Sequence, residues 1–193
     1  MSLEDERISE LRATAHPLRL QMLSLLTGAE LSAAEVAREL GVTQANASYH
    51  LRLLESAGLL EVAGEESVRG GRAKKYRHPW DAPVARHEAT RDEDRLAYVR
   101  VLADMIPRRF LERQQGTPSR FTDADLWVEP EAWDRVCALV DEASTLLHAS
   151  ARPPRTEGTV RAALSVAAFR LRTEQDTDTD TDTATATDTE DES

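Results

Sequence analysis

Cysteine and aromatic residues are scarce in this sequence, and long apolar runs are missing. A single cysteine, Cys137, among 193 residues excludes an intramolecular disulfide framework. Aromatic residues make up 5% of the chain, but hydrophobic residues as a whole make up 40%, enough for a packed core. No segment approaches the roughly 18 apolar residues of a spanning helix, and the N-terminus lacks a signal-peptide pattern. We therefore expect a cytoplasmic protein without membrane contact.

Basic residues are absent from the last part of the chain, which explains most of its net charge of −11. Residues 173–193 contain nine acidic residues in an Asp–Thr repeat, so residues 1–172 carry only −2. Such a low-complexity segment cannot bury enough apolar surface to offset chain entropy, and we predict a disordered acidic tail. The overall charge does not exclude a nucleic-acid partner, because affinity depends on the charge near the phosphates.

Motifs that carry catalysis are also missing. The sequence contains no Gly-rich phosphate loop, no Gly-x-Ser-x-Gly turn and no pair of histidines spaced to bind metal on a helix. Its five histidines are scattered, whereas a strong zinc site needs four convergent ligands. We expect no catalytic residues, no metal and no cofactor, and hence a protein that is not an enzyme.

The N-terminal residues show helical periodicity. Residues 4–15 predict a first helix, and Pro17 can begin a second because its missing N–H is not needed at a helix start. The apolar residues of this second helix recur at helical spacing; they are Leu18, Met22, Leu25 and Leu26.

Residues 32–57 have the pattern of a helix-turn-helix. Ser32 and Glu35 form a capping box, in which both side chains can accept hydrogen bonds from free N–H groups at the helix start. Gly41 can end this short helix because glycine tolerates the left-handed backbone of a tight turn, and Thr43 can cap the next helix. In such units the second helix lies in the DNA major groove, while the first braces across the backbone.

Polar side chains on the second helix are candidate base readers. Amide side chains can make paired hydrogen bonds to adenine, and arginine can make them to guanine. The expected readers are Gln44, Asn46 and Arg52. Ser48 can contact a base or a phosphate. Tyr49 and His50 could do the same, although one of them could instead pack inside.

The segment after this helix predicts a basic β-hairpin. Gly70 and Gly71 favour a tight turn between two strands. Five basic residues lie within nine positions, without an acidic residue among them: Arg69, Arg72, Lys74, Lys75 and Arg77. A basic hairpin directly after such a helix is typical of a wing, which neutralises phosphates beside the groove. Together these features predict a winged helix-turn-helix domain in residues 1–80 that binds double-stranded DNA.

The same residues resemble a known family. Residues 15–20, 31–37 and above all 41–60 are similar to the ArsR/SmtB-type bacterial winged-helix repressors, and the resemblance covers about residues 8–80. It implies a homodimer that binds an operator of imperfect two-fold symmetry, usually as a repressor of transcription. Its base contacts carry over to Gln44, Ala45, Ser48 and Tyr49. Its wing contacts carry over to the region from Arg69 to Lys75.

One departure from the family concerns metal. The metal-sensing members place a Cys-x-Cys pair around the third helix, and this chain has no cysteine there. His87 and Asp92 stand where other members have ligands, but they do not reproduce that spacing. We therefore expect a member that does not sense metal.

Residues 92–172 extend beyond the family's minimal domain and follow a predicted linker at 81–91. The expected elements are helices at 92–110 and 130–149 and strands at 121–128 and 159–171, which could form a small β-α-β layer. Pro107 is expected to kink or end the first of these helices, which is a candidate for dimerisation or for packing on its own domain. The layer could hold an unidentified small-molecule effector or thicken the dimer. The predicted fold class is mainly α with a small β-wing, followed by an α+β extension and the disordered acidic tail.

Two interpretations of the winged helix remain open. The first is a DNA-binding transcription regulator, and the second is a protein–protein interaction module without direct DNA binding. A DNA binder should lose affinity steeply as salt rises, and when the charges of the wing are removed. A module for protein contact should be indifferent to the wing charges.

Overall fold

A computed structural model of the chain describes residues 12–68, 71–81 and 92–173. Three sequence predictions therefore fall mainly outside the described residues. The acidic tail and the linker each overlap the described residues at a single position, and most of the first predicted helix precedes residue 12. Arg69, one of the predicted wing contacts, lies outside them as well.

Helices and a three-stranded antiparallel sheet make up the regular structure. The helices are α1 (Pro17–Thr27), α2 (Ala33–Leu40), α3 (Gln44–Ser56), α4 (Asp92–Leu111) and α5 (Pro130–Ala149). The strands are β1 (Leu31–Ser32), β2 (Glu61–Val68) and β3 (Gly71–Arg77), in the order β1-β3-β2. The helix-turn-helix followed by a β-hairpin confirms the predicted winged helix-turn-helix fold. No described helix has both the length and the apolar character required to cross a bilayer.

The ends of α2 and α3 follow the predicted local chemistry. The Ser32 N–H donates to the Glu35 carboxylate at 2.8 Å, and the Ser32 hydroxyl accepts from the Glu35 N–H at 3.4 Å. Gly41 ends α2 with a φ of 67°, in the left-handed region that glycine favours. The Thr43 hydroxyl accepts from the Asn46 N–H at 3.2 Å and so caps α3.

The hydrophobic core lies almost entirely within the winged helix. The buried apolar residues are Leu20, Met22, Leu23, Leu26, Val36, Ala37, Ala47, Leu51, Leu54, Leu60, Tyr76 and Met105. All of them except Met105 fall between residues 20 and 76. Helix α3 buries Ala47, Leu51 and Leu54 completely, at the predicted spacing. One face of α3 is therefore fixed in the core, and the opposite face is left outside.

The C-terminal half confirms the two predicted helices but contradicts the two predicted strands. Helix α4 continues through Pro107 to Leu111, so the proline does not end it. Residues 121–128 and 159–171 form no strand. A strand requires a hydrogen-bonded neighbour, and neither segment pairs with the sheet. Their apolar residues also do not alternate strictly, since three follow each other at 126–128. The predicted β-α-β layer was wrong.

The segment that follows α5 packs against the winged helix. The backbone of Arg152 lies so close to Gly28 that an added Cβ would come within 2.7 Å of the Arg152 carbonyl oxygen. The Arg155 guanidinium donates to the Glu39 carboxylate of α2 at 2.8 Å. A side chain at position 28 would clash with the backbone of Arg152, and backbone cannot rotate aside as a side chain can. The contact therefore requires glycine at this position.

Candidate nucleic-acid interface

The outer face of α3 carries the predicted base readers. Its exposed residues include Gln44, Ala45, Asn46, Tyr49 and Arg52, and Ser48 is half-buried. Because the core holds the opposite face of the helix, these side chains project outward on a helix whose orientation is fixed. The structure therefore brings together all six residues that the sequence places on this helix as DNA contacts.

The two aromatic side chains at 49 and 50 point in different directions. Tyr49 is 55% exposed, whereas His50 is 8% exposed, so His50 is the one that packs inside. The rings of Tyr49 and His50 meet edge to face, with 5.2 Å between ring centroids. His50 in turn contacts the ring of His16, with centroids 4.8 Å apart. Tyr49 thus rests on a histidine pair that links α3 to the start of α1.

The pair formed by His16 and His50 is partly shielded from water and lies close to the positive charge of Arg19. His16 caps α1 by accepting from the Leu18 N–H at 3.2 Å. Burial lowers the pKa of His16, and the nearby charge of Arg19 lowers it further. The pKa of His50 is lowered by burial first, then by His16 and by Arg19. Among the described residues, His50 Nδ1 has no hydrogen-bond partner. Both rings therefore favour the neutral form.

Lowering the pH from about 7.5 to about 5.5 is expected to lower the free energy of unfolding. Folding lowers the pKa of both histidines below the ordinary value of 6.5, so the unfolded chain binds protons more readily in this range. The contribution of the two neutral histidines to the free energy of unfolding is fully present above pH 6.5. It is lost as the pH falls through their folded-state pKa values. Urea unfolding at both pH values measures the effect. His50→Gln should flatten this pH dependence, and a variant with the full wild-type dependence would contradict the assignment.

The wing presents its basic residues on two different faces. Successive side chains of a strand point to opposite faces, so Arg72 and Lys74 share the face of the buried Tyr76. The Lys74 ammonium donates to the Glu55 carboxylate of α3, the candidate recognition helix, at 2.9 Å, which places this face beside that helix. Lys75 points to the other face, with its backbone in register with Ser32 of β1. The structure therefore groups Arg72 and Lys74 with α3, and it separates Lys75 from them.

Every described cation of the wing has a carboxylate partner. The ion pairs are Arg72 with Glu65 at 2.6 Å, Lys74 with Glu55 at 2.9 Å, Lys75 with Glu66 at 3.3 Å, and Arg77 with Glu61. The run from 69 to 77 has no acidic residue, but β2 and α3 supply the acids across space. Sequence reasoning missed these partners. The signal was present in the acidic residues of β2, which face β3 once the two strands are paired.

Arg52 differs from the cations of the wing. It lies on the exposed face of α3 and makes no ion pair within the described part of the chain. Its guanidinium is near Tyr76, whose pKa is raised chiefly by burial. Among the predicted base readers and wing contacts in the described ranges, Arg52 is therefore the cation that a base or phosphate can reach without displacing a carboxylate.

Comparison with known proteins identifies the N-terminal domain. Residues 14–63 match the family model described as a helix-turn-helix domain. A Mycobacterium bovis fragment described as a possible transcriptional regulatory protein is 30% identical, and the match covers 52% of this chain and 91% of the fragment. The chain belongs to the winged helix-turn-helix proteins. Comparison with curated proteins gave no significant match.

A second M. bovis structure is also similar to this chain. It is described as the homodimeric winged helix-turn-helix DNA-binding domain of a possible ArsR-family transcriptional regulator. It is 26% identical, and the match covers 59% of this chain and 89% of that domain. The TM-scores of the two structures are 0.33 and 0.34. The family match and the described fold together place residues 14–63 in a winged helix-turn-helix domain.

Metal ligands of the kind used by metal-sensing ArsR proteins are not grouped in the described structure. Within residues 12–68, 71–81 and 92–173, no three or more His, Cys, Asp or Glu side chains come together in a way that could hold a metal ion. Cys137 lies half-buried on α5. His87, named above for its position, falls outside the described residues.

A groove in the C-terminal half bears on the predicted effector. It has a volume of about 310 Å³ and runs between α5 and residues 162–164. The lining from α5 consists of Ala143, Leu146, Leu147 and Ser150. Since the lining is almost wholly apolar, the groove would suit only an uncharged apolar molecule, and the effector stays a prediction.

Proposed function

We propose that this chain is a sequence-specific transcription regulator that binds an operator as a homodimer and represses transcription. The observation that carries the proposal is the division of α3 into two faces. One face is fixed in the core, and the other presents Gln44, Asn46 and Arg52 outward. The DNA major groove is about 12 Å wide and admits one helix of this kind. The direction of control, repression, follows the resemblance to the ArsR/SmtB-type repressors.

The wing supports contact with the DNA backbone on the same side. Arg72 and Lys74 lie on the strand face that reaches α3, through the contact between Lys74 and Glu55. A helix in the groove would bring these two side chains near the adjacent phosphates, where cations position a protein without reading sequence. In the proposed complex, six residues of α3 contact base edges or phosphates: Gln44, Ala45, Asn46, Ser48, Tyr49 and Arg52.

Helix α4 supports the homodimer. Five of its exposed apolar residues recur at alternating steps of three and four, and Leu111 at its end lies outside this pattern; the five are Leu96, Val99, Ala103, Ile106 and Phe110. This heptad spacing is typical of a seam between two helices. The first turn of α4 is acidic and the last turn is basic, so an antiparallel partner would bring opposite charges together. Ala103 is at the centre of the seam, where its small side chain allows two helices to approach closely around a two-fold axis.

Fluorescence anisotropy tests the proposal with the DNA upstream of the protein's own gene and a scrambled duplex, each at two salt concentrations. The proposal expects saturable binding that prefers the upstream DNA and weakens as salt rises. Absence of binding to either duplex at low salt would contradict it. The winged helix would then be a module for protein contact, the alternative that the sequence leaves open.

Arg52→Ala is expected to weaken operator binding by about ten- to a hundredfold, while binding to the scrambled duplex changes little, because a paired arginine–guanine contact contributes about 1–3 kcal/mol of discrimination. Anisotropy titrations on both duplexes measure this. Arg135→Ala is the matched control, since Arg135 is exposed on the distant helix α5. Equal losses on the two duplexes would show that Arg52 contacts phosphate only.

A further inference from the structure

The ion pairs of the wing have a consequence for DNA affinity. Arg72 Nε lies 2.6 Å from a carboxylate oxygen of Glu65, and Lys74 Nζ lies 2.9 Å from one of Glu55. Among the described basic residues of the wing, Arg72 and Lys74 are the two on the strand face that lies beside α3. We infer that Glu65 on β2, together with Glu55 on α3, is an intramolecular competitor for DNA phosphates that limits what the wing contributes to affinity. The inference rests on the proposed binding of DNA.

A cation that is already paired gains less from a phosphate than a free one. The affinity of a protein for the DNA backbone comes from the counterions released when its cations neutralise phosphates. For Arg72 to bind a phosphate, the guanidinium must exchange one anion for another. The Glu65 carboxylate then remains beside the phosphate and repels it. The wing therefore contributes less than the five basic residues at 69–77 would suggest.

The same pairs are weak enough to be exchanged. The side chain of Arg72 is 77% exposed and that of Glu65 is 39% exposed. Exposed ion pairs contribute little to stability, because water and salt screen them. The carboxylates thus lower the affinity of the wing without blocking it, and a protein with this arrangement leaves DNA more readily than one with a free basic wing.

The neighbouring residue Glu66 provides a matched comparison. It is in register with Ala73, so it lies on the opposite face of the hairpin from Glu65, which is in register with Lys74. Glu66 pairs with Lys75, which points away from the face shared with α3. Changing either glutamate to glutamine removes one negative charge and keeps the shape of the side chain. Only Glu65→Gln releases a cation on the face beside the recognition helix.

The experiment titrates the whole chain with the upstream and the scrambled duplex over a series of salt concentrations. Glu65→Gln is expected to raise affinity for both duplexes about three- to tenfold at low salt, and to steepen the plot of log affinity against log salt by about one, the effect of one more phosphate contact. Glu66→Gln should change both quantities much less. In an Arg72→Gln background, Glu65→Gln should lose most of its effect, because the two residues act as a pair.

The outcomes separate the inference from the proposed function. If neither the wild-type chain nor any variant binds either duplex, the proposed function fails. If the wild-type chain binds and Glu65→Gln leaves affinity unchanged or lowers it, the inference is overturned, and a loss would show that Glu65 positions Arg72 for the phosphate. Equal gains for Glu65→Gln and Glu66→Gln would also overturn it, because net charge alone would explain them.

Discussion

The Ala103→Glu variant is expected to be monomeric and to bind its operator about a hundredfold more weakly, or worse, than the wild-type chain. Ala103 is at the centre of the exposed apolar seam of α4, between Val99 and Ile106. In an antiparallel pair the two glutamates would face each other near the two-fold axis, buried and without a partner, which is strongly unfavourable. A monomer reaches only one half-site, and it loses the gain from binding two sites at once.

Analytical ultracentrifugation measures the oligomeric state of this variant, and anisotropy on the upstream DNA measures its affinity. Ala138→Glu is the control, because Ala138 is exposed on α5 and is surrounded along that helix by charged residues such as Asp134 and Asp141. This control should keep the oligomeric state and the affinity of the wild type. A dimeric Ala103→Glu variant with unchanged affinity would show that the seam of α4 is not the dimer interface.

The Leu51→Ala variant is expected to lower the free energy of unfolding by about 2–5 kcal/mol. Leu51 has no exposed surface, and it joins α3 to the rest of the core. Truncation removes apolar burial and leaves a cavity that the neighbouring helices can fill only in part. Since domains of this size are stable by only about 5–15 kcal/mol, the variant should also present less folded domain to DNA near physiological temperature.

Urea unfolding followed by circular dichroism measures this change. Leu126→Ala carries out the same substitution at a residue that is 74% exposed, and its effect should stay within about 0.5 kcal/mol. Equal destabilisation by the two variants would mean that Leu51 is not part of the core that fixes the recognition helix.

Local chemistry explains why the helix-turn-helix could be predicted from the sequence. The capping box of Ser32 and Glu35, the turn at Gly41 and the cap at Thr43 each involve residues within a few positions of one another. The buried stripe of α3 also follows from a period that the sequence displays directly. Signals of this kind need no knowledge of the rest of the fold, and all of them are confirmed.

Contacts between distant residues explain what the sequence did not predict. Strand β1 has only two residues, and it exists because Leu31 pairs with Tyr76. The contact between His16 and His50 joins positions that no local pattern connects. The predicted strands at 121–128 and 159–171 failed for the converse reason, since apolar residues in an extended segment do not supply a neighbouring strand.

The candidate interface shows the same difference between local signals and contacts of distant residues. The residues on α3 could be named from a single helix, and the structure does place them on one exposed face, although their contacts with DNA stay a prediction. The charge state of the wing could not be read from the run at 69–77, because the neutralising carboxylates come from β2 and from α3. A run of basic residues therefore gives the charge of one strand, whereas a DNA phosphate responds to the charge of the whole hairpin.

The position of the core along the chain sets an order of events during synthesis. Apart from Met105, the buried apolar residues in the described part of the chain all precede residue 77, and more than half of the 193 residues are still to be added at that point. Ribosomes add about 5–20 residues per second, and domains fold as units with the N-terminal one first. Small helical domains fold within milliseconds, so the winged helix can form on the ribosome while the C-terminal half of the chain is still being made. The winged helix is thus completed within a single nascent chain, and the proposed association with a second chain would be a later step whose rate depends on the concentration of finished protein.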